Sequence, residues 1–199
     1  DAPAPPPGSD PAAKAWQGAT LLETDDTGSA NFPDIAFDGQ GNAMAVWEQG
    51  DPAGMGSKQS IWARHYSAST GWGTAGRIEA DDVQNGSAPR VAMDAKGNAL
   101  AVWEVRDNNG ANSNIVANRY VAGTGAGSGW GTPLPIELQD QNPSNYQITV
   151  NASGNATVVW QQFDQTDGFY NIRANHFVAG TGADTGWGTA QLLETEAAN

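Results

Sequence analysis

The feature that most restricts how this chain can fold is an internal repeat. A tryptophan that is followed six residues later by Leu or Ile and seven residues later by Glu recurs at steps of 56, 58 and 57 residues. Its four occurrences are Trp16, Trp72, Trp130 and Trp187. A second tryptophan ends the segments GNAMAVW, GNALAVW and GNATVVW. Because self-similarity at a fixed period is the signature of repeat architectures, one structural unit is predicted to recur along the chain.

Each unit is interpreted as four short β-strands. The first strand alternates around Val91 and Met93, and DAKGN then predicts a hairpin turn in which Gly97 supplies a positive φ and Asp94 or Asn98 caps the turn. The second strand, NALAVWE, is apolar on both faces and is predicted to be buried from both sides. IVANRY forms the third strand, and the fourth begins at GWGT. A helical period of useful length is not found, so the chain is predicted to be all-β.

Four short antiparallel strands in a unit of this length are typical of propeller blades that pack sheet on sheet. We predict an all-β, β-propeller-like fold with three four-stranded blades of about 57 residues and one extra strand at 16–26. The predicted units are 27–83, 84–141 and 142–199. A Pro-rich tether, at 1–15, precedes the repeat domain.

The strings DGQGNAMAVW and DAKGNALAVW, followed in each unit by GWGT, carry a resemblance to a known group of proteins. They resemble the repeats of bacterial secreted β-propeller proteins and are similar in turn design to NHL-type and Asp-box propellers. The resemblance covers 16–199 and implies the architecture, whereas propellers carry many unrelated functions. The Asp-box order Ser-x-Asp-x-Gly-x-x-Trp is absent, so the resemblance does not imply sialidase activity.

Three blades do not close a ring, because propellers have about four to eight blades. The extra strand leaves an edge that favours pairing with another chain. Three arrangements stay open: two chains form a six-bladed ring, units stack into a fibre, or the chain is cut from a longer propeller. The residues predicted to carry assembly are Trp16, Leu21, Leu22, Trp187, Leu192 and Leu193.

Charge and composition restrict the partners. The formal net charge of −13 disfavours nucleic acid and anionic lipid, and no apolar run is long enough for a membrane helix. Cysteine is absent, which excludes disulfides and thiol catalysis. The Pro-rich start lacks the features of a signal peptide and is interpreted as a mature N-terminus, so a secreted or cell-surface location is predicted.

Aromatic and polar side chains repeat in the third strand of each unit. Rings can stack on a sugar while the Asn and Arg beside them bind its hydroxyls, as fucose-binding propeller lectins do between blades, although packing of these rings within the core explains the pattern better. The candidate glycan-binding residues are Trp62, Arg64, Tyr66, Asn118, Arg119, Tyr120, Arg173 and Asn175.

A catalytic or metal site is not predicted. His65 and His176 occupy one repeat position, and repeated carboxylates such as Glu48, Glu104 and Asp164 are interpreted as turn caps or solvated groups, because catalytic pairs are usually asymmetric. No cofactor is predicted, although the Asp- and Asn-rich loops at 25–31, 81–87 and 107–114 offer oxygen ligands for calcium without EF-hand spacing.

The sequence therefore predicts a non-enzymatic subunit that assembles with copies of itself into a ring or fibre. A glycan-binding lectin is the alternative, and a glycoside hydrolase-like enzyme is the third interpretation.

Overall fold

The computed structural model describes residues 18–24, 28–50, 58–79, 85–106, 112–123, 129–137, 142–166, 168–180 and 186–194. The predicted tether at 1–15 and Trp16 lie outside these ranges. Within them the chain forms strands and turns, and no helix is long and apolar enough to cross a membrane.

The strands form three antiparallel sheets. Sheet 1 contains β1 (Ala30–Phe37), β2 (Ala43–Gly50), β3 (Gln59–Ser67), β4 (Gly71–Trp72) and β5 (Gly76–Arg77). Sheet 2 contains β6 (Asn85–Met93), β7 (Ala99–Arg106), β8 (Ser113–Tyr120) and β9 (Leu134–Pro135). Sheet 3 contains β10 (Ser144–Val150), β11 (Ala156–Asp164), β12 (Phe169–Phe177) and β13 (Gln191–Leu192). The all-β prediction is confirmed. Among the described residues the three sheets do not close into a ring, and the number of blades stays a prediction.

The fourth strand of each sheet is interrupted. In sheet 1 both β4 and β5 pair with β3. In sheets 2 and 3 Trp130 and Trp187 make single bridges to Tyr120 and Phe177, and β9 and β13 follow. The predicted extra strand at 16–26 is not formed within 18–24, the larger described part of that range.

The repeated Asp-x-x-Gly-Asn sequence makes the hairpin turn between the first two strands. Asp94 Oδ1 accepts hydrogen bonds from the N–H groups of Lys96 (2.8 Å) and Asn98 (2.9 Å), and Asn98 Nδ2 donates to Asp94 Oδ2 over 2.7 Å. Gly97 has a φ of 84°, a conformation that favours glycine. Asn98 Oδ1 also accepts from the Ala122 N–H over 3.0 Å, which ties the turn to the loop after β8. Both predicted features of the turn are present.

The core lies between neighbouring sheets, with the second strands at its centre. Every residue of 43–49 and of 99–103 is buried, as expected for strands that are apolar on both faces. The first core cluster joins sheets 1 and 2 and includes Met44, Val46, Ile61, Ile78, Val91, Met93, Ala101 and Trp103. The second joins sheets 2 and 3 and includes Val102, Ile115, Ile136, Tyr146, Val158 and Trp160.

One buried tryptophan lacks the hydrogen bond that its repeats make. The two bonds that form are Trp47 Nε1 to Gln49 Oε1, 2.9 Å, and Trp160 Nε1 to Gln162 Oε1, 3.0 Å. In sheet 2 the residue two positions after Trp103 is Val105, and Trp103 Nε1 is buried with no hydrogen-bond partner among the described residues. A buried donor without a partner costs stability.

Val105→Gln is therefore expected to raise the free energy of unfolding by about 1 kcal/mol, because it supplies the missing acceptor. Urea denaturation of the two proteins measures the change. In a Trp103→Phe background, which has no indole N–H, the gain should disappear. An equal gain in both backgrounds contradicts this explanation.

Candidate functional site

An asparagine in the third strand connects neighbouring sheets. Asn118 is buried, and its Nδ2 donates to Ile78 O (2.8 Å) of sheet 1 and to Gly131 O (3.1 Å) after its own strand. Asn118 Oδ1 accepts from the Arg119 N–H over 2.7 Å. Both the amide nitrogen and the amide oxygen of Asn118 thus form hydrogen bonds with backbone groups, and these groups belong to two sheets.

Two further residues make the same connection. Asn175 Nδ2 donates to Ile136 O (2.9 Å) and to Gly188 O (3.1 Å). In sheet 1 the equivalent residue is arginine: Arg64 Nε donates to Gly73 O (2.8 Å), and Nη1 donates to Leu22 O (2.7 Å). The segment 18–24 therefore contacts sheet 1 in the same way that the segments around Ile78 and Ile136, at the fourth strands of sheets 1 and 2, contact sheets 2 and 3.

The residues next to these connectors form cation and ring contacts between sheets. The ring of His65 stacks on Tyr120 with centroids 5.7 Å apart. The Arg119 guanidinium lies over the Phe177 ring, 5.7 Å from its centroid. Tyr66 packs edge-on against Trp72 within sheet 1, with centroids 5.2 Å apart.

Most of the predicted glycan-binding residues thus contact neighbouring sheets or their own sheet. Trp62 is half-buried, and its Nε1 is buried without a partner among the described residues. Two of the eight predicted residues, Arg173 and Asn175, line a groove between sheets. Contact of these residues with a glycan stays a prediction.

The groove lies between sheets 2 and 3 and has a volume of about 190 Å³. We call it the sheet 2–3 groove. Its lining consists of Pro135, Ile136, Glu137, Gln162, Arg173, Asn175, Trp187, Gly188, Thr189 and Ala190. A half-buried aromatic ring, an arginine and two amides therefore face one cavity.

Among the described residues, Arg173 has an unsatisfied hydrogen-bond donor in the lining of this groove. Its side chain is 15% exposed, its Nη2 lies 3.7 Å from Asp164 Oδ2, and its Nε is buried with no hydrogen-bond partner in the part of the chain that the structure describes. Across the groove Gln162 Nε2 donates to Glu137 Oε1 over 2.9 Å. A buried donor of this kind is suited to an acceptor oxygen of a ligand.

A second cleft, of about 320 Å³, lies where β7 ends and where β8 and β10 begin. We call it the end cleft. Its lining residues are Glu104, Arg106, Asn112, Ser113, Asn142, Pro143 and Ser144. Arg106 Nε donates to Glu104 Oε1 over 2.9 Å, and Asn142 Oδ1 accepts from the Ser113 N–H over 2.9 Å. The end cleft is strongly polar.

Tyr146 supports the backbone behind this cleft. It stands where the other two sheets have proline, and its hydroxyl accepts from the Glu104 N–H (3.0 Å) and contacts the carbonyls of Ser87 and Ala88. Burial raises the pKa of the Tyr146 phenol, against the opposing effect of the Glu104 N–H. The phenol therefore stays protonated and acts as a strut between sheets 2 and 3.

Each cavity has one carboxylate in its lining, Glu137 in the groove and Glu104 in the end cleft. The usual mechanism of a glycoside hydrolase needs two carboxyl groups about 5 to 10 Å apart. The repeated acids have other partners: Glu48 Oε2 accepts from the Ala88 N–H (3.0 Å), and Asp164 Oδ1 accepts from the Thr166 N–H (2.8 Å). The cavities are suited to binding polar ligands.

Among the described residues no set of three or more His, Asp or Glu side chains could hold a metal ion, and the three loops considered for calcium lie partly outside those residues. His176 Nδ1 lies 2.9 Å from Thr157 Oγ1. Of the residues predicted to carry assembly, Leu21, Leu192 and Leu193 are exposed, whereas Leu22 and Trp187 are half-buried.

Sequence reasoning did not find the end cleft. Asn112, Ser113, Asn142 and Ser144 come from two units, and none lies in the repeated strings. The sequence offered two signals: the Asn-rich loop at 107–114, which contains Asn112 and Ser113, and Arg106, which stands where sheet 1 has Gly50 and sheet 3 has Phe163.

Comparison with known proteins gives structural neighbours only. No family model matches the sequence, and no curated protein matches it. "Hadza microbial sialidase Hz136" is 11% identical with a TM-score of 0.55, and the match covers 79% of this chain and 36% of that one. The endo-arabinase from Bacteroides thetaiotaomicron VPI-5482 is 15% identical with a TM-score of 0.54, and the match covers 88% of this chain and 66% of that one.

A third structure, a protein of unknown function from Dyadobacter fermentans DSM 18053, is 14% identical with a TM-score of 0.57. That match covers 94% of this chain and 51% of the other. The chain thus spans between about a third and two thirds of the length of these three proteins. The likeness supports a β-propeller-like, all-β fold.

These neighbours correct the prediction that the protein is not an enzyme. Two of the three are named as enzymes, a sialidase and an endo-arabinase. That prediction is therefore wrong: the architecture is one that glycan-active enzymes use. Nor do the neighbours support non-enzymatic self-assembly as the function.

Proposed function

We propose that this chain is the glycan-binding part of a glycan-active, propeller-like protein, and that a sugar occupies the sheet 2–3 groove. The observation that carries the proposal is Arg173, whose side chain lines a cavity that also contains Trp187 and whose Nε has no hydrogen-bond partner among the described residues. The named activities of the sialidase and the endo-arabinase support the ligand class.

The groove has the two components that a sugar site needs. The Trp187 ring offers an apolar face, on which the C–H groups of a pyranose or furanose ring can pack. The Arg173 guanidinium and the Gln162 amide can donate hydrogen bonds to hydroxyl or carboxylate oxygens, whereas the Glu137 carboxylate can accept them from hydroxyls only. A cavity of about 190 Å³ accommodates one sugar residue and leaves the rest of a chain in solvent.

The repeat offers a matched variant. Position 173 corresponds to Val116 in sheet 2, because Arg173 and Val116 pair with the equivalent tryptophans, Trp160 and Trp103. Arg173→Val therefore installs a side chain that this fold already carries at the same repeat position. It removes the guanidinium with little expected effect on folding.

The experiment measures binding of sialylated and arabinose-containing oligosaccharides by isothermal titration calorimetry. We expect the wild-type protein to bind one class and Arg173→Val to bind it at least about tenfold more weakly, the loss expected for a buried charged donor. Arg106→Ala, which removes a guanidinium from the end cleft, is the control and should bind normally.

Two results contradict the proposal: no binding of either class by folded protein, or a loss of binding in Arg106→Ala with none in Arg173→Val. The second result moves the ligand to the end cleft. Release of reducing sugar, measured with the wild type and Glu104→Gln, then tests whether the Glu104 carboxylate takes part in hydrolysis.

A further inference from the structure

Equivalent apolar residues differ in exposure between the sheets, and the difference defines two open faces. Ile115 in β8 is fully buried against sheet 3, whereas the equivalent Ile172 in β12 is 42% exposed. Likewise Ile136 is buried, whereas Leu193 is 56% exposed. The face of sheet 3 that points away from sheet 2 thus carries the apolar residues that are buried between sheets elsewhere, but here these residues are exposed to solvent.

Sheet 1 has the opposite open face. Val91 and Met93 in β6 are buried against sheet 1. The equivalent residues of β1, Ile35 and Phe37, are 49% and 62% exposed. Monomeric proteins rarely leave such apolar groups in one patch, and a patch of this kind marks an interaction surface.

The two open faces are the two halves of one interface that occurs twice inside the chain. The open face of sheet 3 is equivalent to the faces by which sheets 1 and 2 contact the next sheet in the chain. The open face of sheet 1 is equivalent to the faces by which sheets 2 and 3 contact the previous sheet. We propose that sheet 3 of one molecule packs on sheet 1 of a second copy, head to tail, and repeats the contacts between sheets 1 and 2.

The ring contacts between sheets support this pairing. Inside the chain His65 of sheet 1 stacks on Tyr120 of sheet 2. On the open faces the equivalent residues are His176 of sheet 3 and Tyr66 of sheet 1. Packing of two copies reproduces the same pair of side chains, one histidine and one tyrosine, at the new interface.

The connecting arginine of sheet 1 supports it further. Arg64 Nη1 holds the carbonyl of Leu22, which belongs to the sequence LLET at 21–24. The same four letters, LLET, occur at 192–195, where Leu193 is the residue equivalent to Leu22. The end of one copy therefore carries the sequence that Arg64 already holds, so it competes with 21–24 for that position.

Cross-linking tests the pairing directly, because the chain has no cysteine. Tyr66→Cys and His176→Cys are made separately, mixed, and treated with a short bismaleimide. We expect a covalent dimer from the mixture and none from either variant alone, since each alone lacks one half of the contact. The double variant His65→Cys with Tyr120→Cys is the positive control and should cross-link within one molecule.

Two further substitutions should act in opposite directions on the yield of dimer. Leu193→Asp places a charge on the docking face of sheet 3 and should weaken association at least about tenfold. Leu22→Asp loosens the segment that occupies Arg64 and should raise the yield.

A mixture that gives no dimer at the highest soluble concentration overturns the proposal and leaves both faces to sheets outside this sequence. Equal yields from the mixture and from the single variants overturn the head-to-tail geometry. A decrease with Leu22→Asp overturns the competition for Arg64.

Discussion

Asn118→Asp is expected to destabilise the protein by about 3 to 5 kcal/mol at pH 7, although the two side chains have the same shape. Asn118 Nδ2 donates to the carbonyls of Ile78 and Gly131. In the variant a carboxylate oxygen replaces the donor, so two hydrogen bonds are lost and a charge is buried against two carbonyl oxygens.

The pH dependence follows from the same geometry. Burial against two carbonyl oxygens, which outweighs the one hydrogen bond from the Arg119 N–H, raises the pKa of the new carboxyl group above its value of about 3.9 in the unfolded chain. The protonated form is therefore favoured in the folded state, and the loss of stability is present above the raised pKa and shrinks as the pH falls through it. At low pH the carboxyl O–H restores one of the two bonds.

Urea denaturation of the wild type and Asn118→Asp at pH 7 and pH 4 measures this effect. Asn118→Ala is the control: it removes both donors without a charge, so it should cost less at pH 7 and show no pH-dependent recovery. If Asn118→Asp matches Asn118→Ala at both pH values, the connection between sheets 1 and 2 is not made by this side chain.

The second large effect is a difference between two equivalent isoleucines. Ile115→Ala should cost about 2 to 5 kcal/mol, because Ile115 is fully buried between sheets 2 and 3 and its truncation leaves a cavity. Ile172→Ala should cost less than about 1 kcal/mol in dilute protein, because its side chain already faces solvent.

Thermal and urea unfolding at low protein concentration compares the two variants under identical conditions. Ile115 and Ile172 occupy the same repeat position in the third strands of sheets 2 and 3. Burial by a neighbouring sheet is therefore the main difference between the two sites. Equal losses at both positions contradict the assignment of an open face to sheet 3.

The local structure was predictable from the repeat because short-range chemistry determines it. Asp94, Gly97 and Asn98 make a hairpin turn whose hydrogen bonds lie within five residues. The second strand was equally readable, since an unbroken apolar run can be satisfied only by burial on both faces. The prediction of all-β sheets follows from these two elements.

Contacts between units were not predictable in the same way. From the sequence Asn118 is a candidate sugar ligand, because its spacing does not reveal that its amide spans two sheets. Tyr146 replaces a proline, and only the fold shows that its hydroxyl reaches Glu104 in the preceding sheet. The predicted extra strand is wrong within 18–24 for a related reason. This segment contacts sheet 1 through the hydrogen bond from Arg64 to Leu22 O, and it forms no β-ladder among the described residues.

Amide hydrogen exchange along β8 and β12, measured over a range of protein concentrations, tests whether sheet 3 docks on a second copy. We expect slow exchange around Ile115 at every concentration, and exchange around Ile172 that slows only as the concentration rises and sheet 3 is covered by a second copy. Exchange around Ile172 that is as slow as around Ile115 in dilute protein, or that never changes with concentration, contradicts the claim that sheet 3 presents half of a repeated interface.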